Sequence, residues 1–264
     1  MDDSQLLREC FKTRRLPMLN PGGGSWGARA GLAYELFMTR LPWTDYDRIN
    51  SLLRGETAPS SLEDHVIYHV LSKAGVTFLR SAEIREVPDL DSGGQPKTDV
   101  WLVINAEVHV KMSVKRSHAS SVAVSEFDVD TMAAQIGLTN PALLYLMRKH
   151  QTARSAKYFS QQERERLAAL LAPHRRSLIN WALSGCKEDT SDDPRHANFI
   201  VMFKTDPDGR LLGFATETLN DSVEHLSTRS SGFNTGLSWT YATGSGSTKI
   251  QFKAPVTKPQ VVWG

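Results

Sequence analysis

Asp99 and Lys115 lie in KTDVWLVINAEVHVKMSVKRS, a stretch that reads as two consecutive strands joined by a tight turn. A carboxylate and an ammonium brought together at one end of a β-hairpin can hold Mg²⁺ beside a phosphodiester. The carboxylate binds the metal; the lysine orients a water and offsets charge that builds on the phosphate. Hydrolysis of a phosphodiester then asks only for one or two further carboxylates.

The elements around that pair determine whether it can form. Residues 100–104 are β-favouring, Asn105-Ala106 suits a turn, and alternation resumes through 108–115. On the returning strand Lys111, Ser113 and Lys115 share one face by the period-two rule. Upstream, SSLEDHVIYHVLSKAG (60–75) has serines at its start, acids in its first turn, an apolar stripe and a closing glycine, which predicts an amphipathic helix bearing Glu63. Downstream, VAVSEFDVDTMAAQIG predicts a helix that carries Glu126 back against the sheet. Glu63, Asp99, Glu126 and a strand lysine thus have a route to one metal-binding cleft. Each has a plainer alternative: Glu63 as a helix-dipole partner, Asp99 and Lys115 as a cross-strand ion pair, Glu126 as an exposed helix residue. Lys111 rivals Lys115, with His109 where an acid belongs. Lys115 is preferred because SVKR runs into the polar break that ends the strand. The Pro88-Asp89 pair reads as a loop.

With those residues in place, the segment resembles the core of the PD-(D/E)xK nuclease superfamily, and type II restriction endonucleases in particular. The resemblance covers roughly residues 60–136. That family sets an Asp on one strand, acid-x-Lys on the next and often an acid on the preceding helix. Asp99, Lys115 and Glu63 match these positions. Two departures stand out: Thr98 replaces the proline before the first acid, and Ser113 replaces the acid two residues before the lysine. A subgroup that cuts sites with a CCGG core has Ser-x-Lys and takes its missing carboxylate from the following helix, a place Glu126 matches. The Arg-(Asp/Glu)-Arg element with which that subgroup reads CCGG is not evident after Lys115. The resemblance implies a sequence-specific endonuclease acting on double-stranded DNA with Mg²⁺. Glu63, Asp99, Lys115 and Glu126 would be its catalytic residues, and Asp99 and Glu126 its metal ligands. It also implies a homodimer, with a tetramer compatible. A structure-specific repair or recombination nuclease and a non-enzymatic DNA-binding protein are the alternatives.

The fold class expected is α/β, a restriction-endonuclease-like mixed sheet core flanked by helices, with helical and β-hairpin additions. Residues 1–264 read as a single nuclease domain: a core near 60–136 plus C-terminal strands, and a helical N-terminal addition over 1–58. Short strands are expected at VTFLR, NFIVMFK, LLGFAT, LSWTYAT and KIQFKAPV, and mostly helix over 141–184. Hydrophobic residues at 40% and charged residues at 23% are ordinary for a globular chain. Two cysteines make no disulfide framework, and the acidic start with no long apolar run argues against a signal peptide or membrane span, so a cytoplasmic protein is expected. Net charge is only +2, yet 148–176 holds eight Lys/Arg (Arg148, Lys149, Arg154, Lys157, Arg164, Arg166, Arg175, Arg176) against Glu163 and Glu165. Such a stretch suits either phosphate neutralisation or a solvated helix face. His65 and His69 have helical spacing for a metal but no obvious third ligand, so they read as structural.

Overall fold

The computed structural model describes residues 24–90, 95–188, 191–241 and 248–262. The chain divides into two compact units, one built from segments 1–120, 193–218 and 256–264, the other from 121–192 and 219–255. The triple glycine at 22–24 and the GSGS at 244–247 fall wholly or mostly outside the described residues.

The first unit opens with helices α1 (Gly24–Arg40) and α2 (Tyr46–Leu53), followed by α3 (Leu62–Lys73). Ser61 caps α3, its hydroxyl accepting from Asp64 N–H at 3.1 Å, as the serine-acid sequence predicts. Strands β1 (Ala82–Arg85), β2 (Val100–Ile104), β3 (Val108–Ser117), β5 (Phe199–Thr205), β6 (Leu211–Thr218) and β9 (Val261–Val262) form one mixed sheet in the order β1-β2-β3-β5-β6-β9. Only β3 and β5 run parallel, with Lys115 opposite Met202. Tyr34 stacks on Phe203 at 4.4 Å and Phe37 meets the same ring edge-on at 5.9 Å, so α1 seals the sheet. Gly213 is required where β9 closes the edge, because a Cβ there would sit 2.2 Å from Val261 O.

The predicted strand VTFLR is not a strand. Leu79 is buried and its backbone is clamped by Asn50, whose amide gives to Leu79 O at 2.9 Å and takes from Leu79 N–H at 2.7 Å. Those groups are therefore satisfied by a side chain, and β1 starts only at Ala82. The turn between β2 and β3 forms where expected: Asn105 and Ala106 have φ of 53° and 62°, and Glu107 N–H donates to Ile104 O at 3.1 Å.

The second unit holds a three-stranded antiparallel sheet in the order β4 (Ser121–Phe127), β8 (Ile250–Pro255), β7 (Ser238–Tyr241). Its helices are α4 (Val129–Ile136), α5 (Pro141–Ala153), α6 (Gln161–Leu171), α7 (Arg175–Ser184) and α8 (Leu219–Ser227). Caps mark the sequence-legible boundaries: Asp128 and Gly137 bracket α4, Asn140 with Pro141 opens α5, and Ser160 with Glu163 makes a capping box on α6. Phe127, Trp181, Phe252 and Trp239 make a continuous aromatic core at centroid spacings of 4.5–5.2 Å. Among the described residues no helix is long and apolar enough to cross a membrane.

Candidate active site

β3 is the strand that carries the chemistry, and it is hydrogen-bonded on both sides, by β2 and by β5. Asp99 directly precedes β2; its N–H still donates to Met112 O at 2.8 Å, the last ladder bond before the two strands part. There the carboxylate takes over from the backbone. Asp99 Oδ2 accepts from Val114 N–H at 2.7 Å, lies 3.4 Å from Ser113 Oγ, and pairs with Lys115 Nζ at 3.4 Å. Both partners of the ion pair stay about one-fifth exposed, at 19% for Asp99 and 23% for Lys115, so the corner is open to a ligand. Among the described residues every hydrogen bond to this carboxylate lands on Oδ2, which leaves Oδ1 for a cation.

The rival lysine is engaged elsewhere. Lys111 is buried, and its Nζ donates to the Asp193 carbonyl at 3.0 Å. Asp193 in turn chelates Arg195 at 2.7 Å, and that guanidinium holds its carboxyl down at about 2. Lys111 thus belongs to a polar brace that ties the 193–198 segment to β3, together with Asn198, which bonds Lys111 N–H at 2.7 Å and His109 O at 2.8 Å.

One further cation faces Asp99. Lys97 precedes it by two residues, and burial, followed by the nearby Lys115 charge, lowers its pKa to about 7 against the pull of Asp99. The sequence carried no signal for it, because Lys97 and Asp99 precede β2 and the period-two rule does not reach them.

Glu63 sits in the first turn of α3, where it adds to the field on Arg48 and makes no hydrogen bond or ion pair with Asp99, Ser113 or Lys115. Its neighbour Asp64 is the buried acid of that turn, paired with Arg48 at 2.6 Å. Glu126 corrects an expectation. It lies on strand β4, not on a helix, opposite Gln251 of β8, because the helix begins only after Asp128 caps α4. It therefore belongs to the second unit's sheet, whereas Asp99 and Lys115 belong to the first. His65 and His69 stack at 6.4 Å, with His69 against Phe214 at 5.7 Å, a packing role. Among the described residues no three His, Cys, Asp or Glu side chains cluster as a ready-made metal cage. The Asp99 corner fits a metal that takes one carboxylate and completes its shell with water and substrate oxygens, which is how Mg²⁺ is commonly bound.

Residues 42–254 match the family described as restriction endonuclease MspI. The type II restriction enzyme MspI of Moraxella sp is 34% identical over 171 residues, 61% of this chain and 65% of that relative, so the chain spans just under two thirds of its length. A crystal structure of restriction endonuclease MspI in complex with its cognate DNA has a TM-score of 0.76 at 27% identity, over 95% of this chain and 98% of that one. The family match takes in α3, the β2–β3 hairpin with Asp99 and Lys115, and the sheets of both units up to β8, and the chain belongs to the MspI restriction endonuclease family.

Proposed function

We propose that the protein is a Mg²⁺-dependent, sequence-specific endonuclease that cleaves double-stranded DNA. The observation that carries the reading is the Asp99 carboxylate, held by Val114 N–H and Lys115 on one oxygen and open on the other, at the point where β2 and β3 separate. Asp99 Oδ1 would hold the metal, the rest of its shell coming from water and substrate oxygens; Glu126, on β4 of the second unit, is not assigned to it. Bound there, Mg²⁺ would polarise the scissile phosphate and lower the pKa of an attacking water. Lys115 Nζ, anchored by Asp99, would orient that water and offset the charge developing on the phosphate. Ser113, in the place of the usual acid, would donate rather than ligate, keeping the Asp99 carboxylate in position. Glu63 would act through the polar start of α3 rather than by direct contact. Cutting both strands needs two centres, supplied by a homodimer, or one centre used twice; sedimentation of the protein on a short duplex decides between them.

The test is digestion of a panel of phage and plasmid DNAs with Mg²⁺, with EDTA and Asp99→Ala as controls. Discrete fragments that vanish in both controls are expected. A smear would point to a nuclease that does not read sequence, and DNA left intact across several divalent metals would contradict the reading.

A further inference from the structure

Six of the eight cations in the basic stretch 148–176 fall into two groups. Arg148 pairs with Asp130 at 2.5 Å and Lys149 with Glu163 at 2.5 Å; Arg176 pairs with Glu224, and Arg175 donates to the carbonyls of Leu226 and Arg229. These four are structural. Arg154 and Arg164 are exposed instead and line an open cleft of about 620 Å³ within the second unit. Among the described residues no carboxylate lines the cleft, and none forms an ion pair with either arginine.

The cleft walls are unusual in backbone as well as charge. Non-glycine residues with positive φ number five among the described residues. Asn105 and Ala106 make the β2–β3 turn. The other three are Arg154 (φ 54°), Phe233 (φ 57°) and Asn234 (φ 61°); the first two line the cleft and the third adjoins it. L-residues adopt this region at a cost, and such residues concentrate where the surrounding structure holds a binding geometry. At the α5 C-terminus glycine would fill the left-handed position without strain, yet an arginine stands there. Its guanidinium lies 5.6 Å from the centroid of Tyr241, a ring fixed in turn by its hydroxyl, which donates to His150 O at 2.5 Å and shares a hydrogen bond with His150 Nδ1 at 2.7 Å. Hydroxyl donors complete the wall. Ser155 Oγ accepts from Lys157 N–H at 3.1 Å, which leaves its own proton for another acceptor, and Ser238 is exposed at the rim.

We propose that this cleft is a phosphate-binding site, in which Arg154 and Arg164 clasp a phosphate group and the Ser155 and Ser238 hydroxyls donate to it. The group would come from a nucleic acid backbone or from a free nucleotide; the first source rests on the DNA-cleaving reading above, the second does not.

The test is calorimetric titration in EDTA, so that no strand is cut, with a short duplex and separately with dAMP and inorganic phosphate. The proteins are wild type, the double variant Arg154→Gln/Arg164→Gln, the single variant Arg164→Gln, and Arg166→Gln, an exposed arginine outside the cleft that is the charge-matched control for Arg164→Gln. The double variant is expected to bind the duplex about tenfold more weakly and to reduce the slope of log K against log salt by about two, with Arg166→Gln near wild type. Loss of dAMP or phosphate binding with the duplex unaffected would assign the site to a free ligand. No difference between the double variant and the control with any ligand overturns the proposal. Arg164→Gln alone, at an exposed position, carries the same test if the double variant fails to fold. Arg154→Gly adds a readout that a purely structural arginine would not give: a raised melting temperature, from relief of the left-handed backbone, together with weaker binding. All arms read binding, so a wild-type protein that cuts nothing would bear on the nuclease reading and leave this one standing.

Discussion

Asn50 shows how much one side chain can hold in this fold. Buried at 6% exposure, it satisfies both backbone groups of Leu79 and so fixes the segment between α3 and β1. Asn50→Ala orphans two buried backbone groups and should cost about 2–3 kcal/mol; a denaturant midpoint that barely moves would show that water reaches Leu79. The same bookkeeping separates the two lysines on β3. Lys111 ends on the Asp193 carbonyl, Lys115 on Asp99, a distinction of four residues along one strand face. In sequence the two differ only in register with the hairpin, and the polar break after SVKR was the sole signal between them. Lys97 is not legible by spacing, because it precedes the strand, and a family pattern centred on acid and lysine gives no place to a cation before the acid. Glu126 shows the opposite failure: the residue was noticed, but its element was misread.

That misreading has a physical source in how elements abut. SVAVSEF carries two valines and a phenylalanine, which favour a strand, and runs into VDTMAAQI, a helix pattern, with no glycine or proline between them. Asp128 is the boundary, its carboxylate accepting from Thr131 N–H at 2.9 Å, and an internal N-cap inside one apolar run is easily absorbed into the helix that follows. Elements with punctuation on both sides, such as α3 and α6, were legible from their caps. The β2–β3 turn was legible too, although its second residue is an alanine at φ 62° where glycine would fit without strain. Ala106→Gly should therefore stabilise the protein by roughly 0.5–1 kcal/mol and leave the strand register intact; a drop in melting temperature would mean that the entropy glycine adds to the unfolded chain outweighs the relief. In the second unit the α5 residue His150 is buried among Phe159, Phe233, Trp239 and Tyr241, and burial lowers its pKa to about 4. The fold favours the neutral ring, while the unfolded chain takes up a proton near its ordinary value of about 6.5. Stability from this residue is thus complete above pH 6.5 and lost as pH falls toward 4, by up to about 3 kcal/mol. In His150→Phe that part of the acid sensitivity should disappear from the melting temperature profile; an unchanged profile would place the sensitivity elsewhere.

For the molecule as a whole, an α/β mixed sheet flanked by helices was readable from the alternation of patterns, but its strand order was not. β5 enters the sheet parallel to β3 across more than eighty residues, and no local signal specifies a pairing at that distance. The same limit hid the division of the chain into two units, with the boundary at Ser120 in the middle of the expected core. The central claim is that the lysine paired with Asp99 performs the cleavage chemistry. It is tested most directly by single-turnover cleavage of a mapped DNA site with wild type, Lys115→Ala and Lys111→Ala. The account predicts that Lys115→Ala lowers the rate constant by about 10²–10³ while duplex binding is retained, and that Lys111→Ala lowers the melting temperature but leaves a folded, cutting enzyme. Near-wild-type cleavage by folded Lys115→Ala would contradict it.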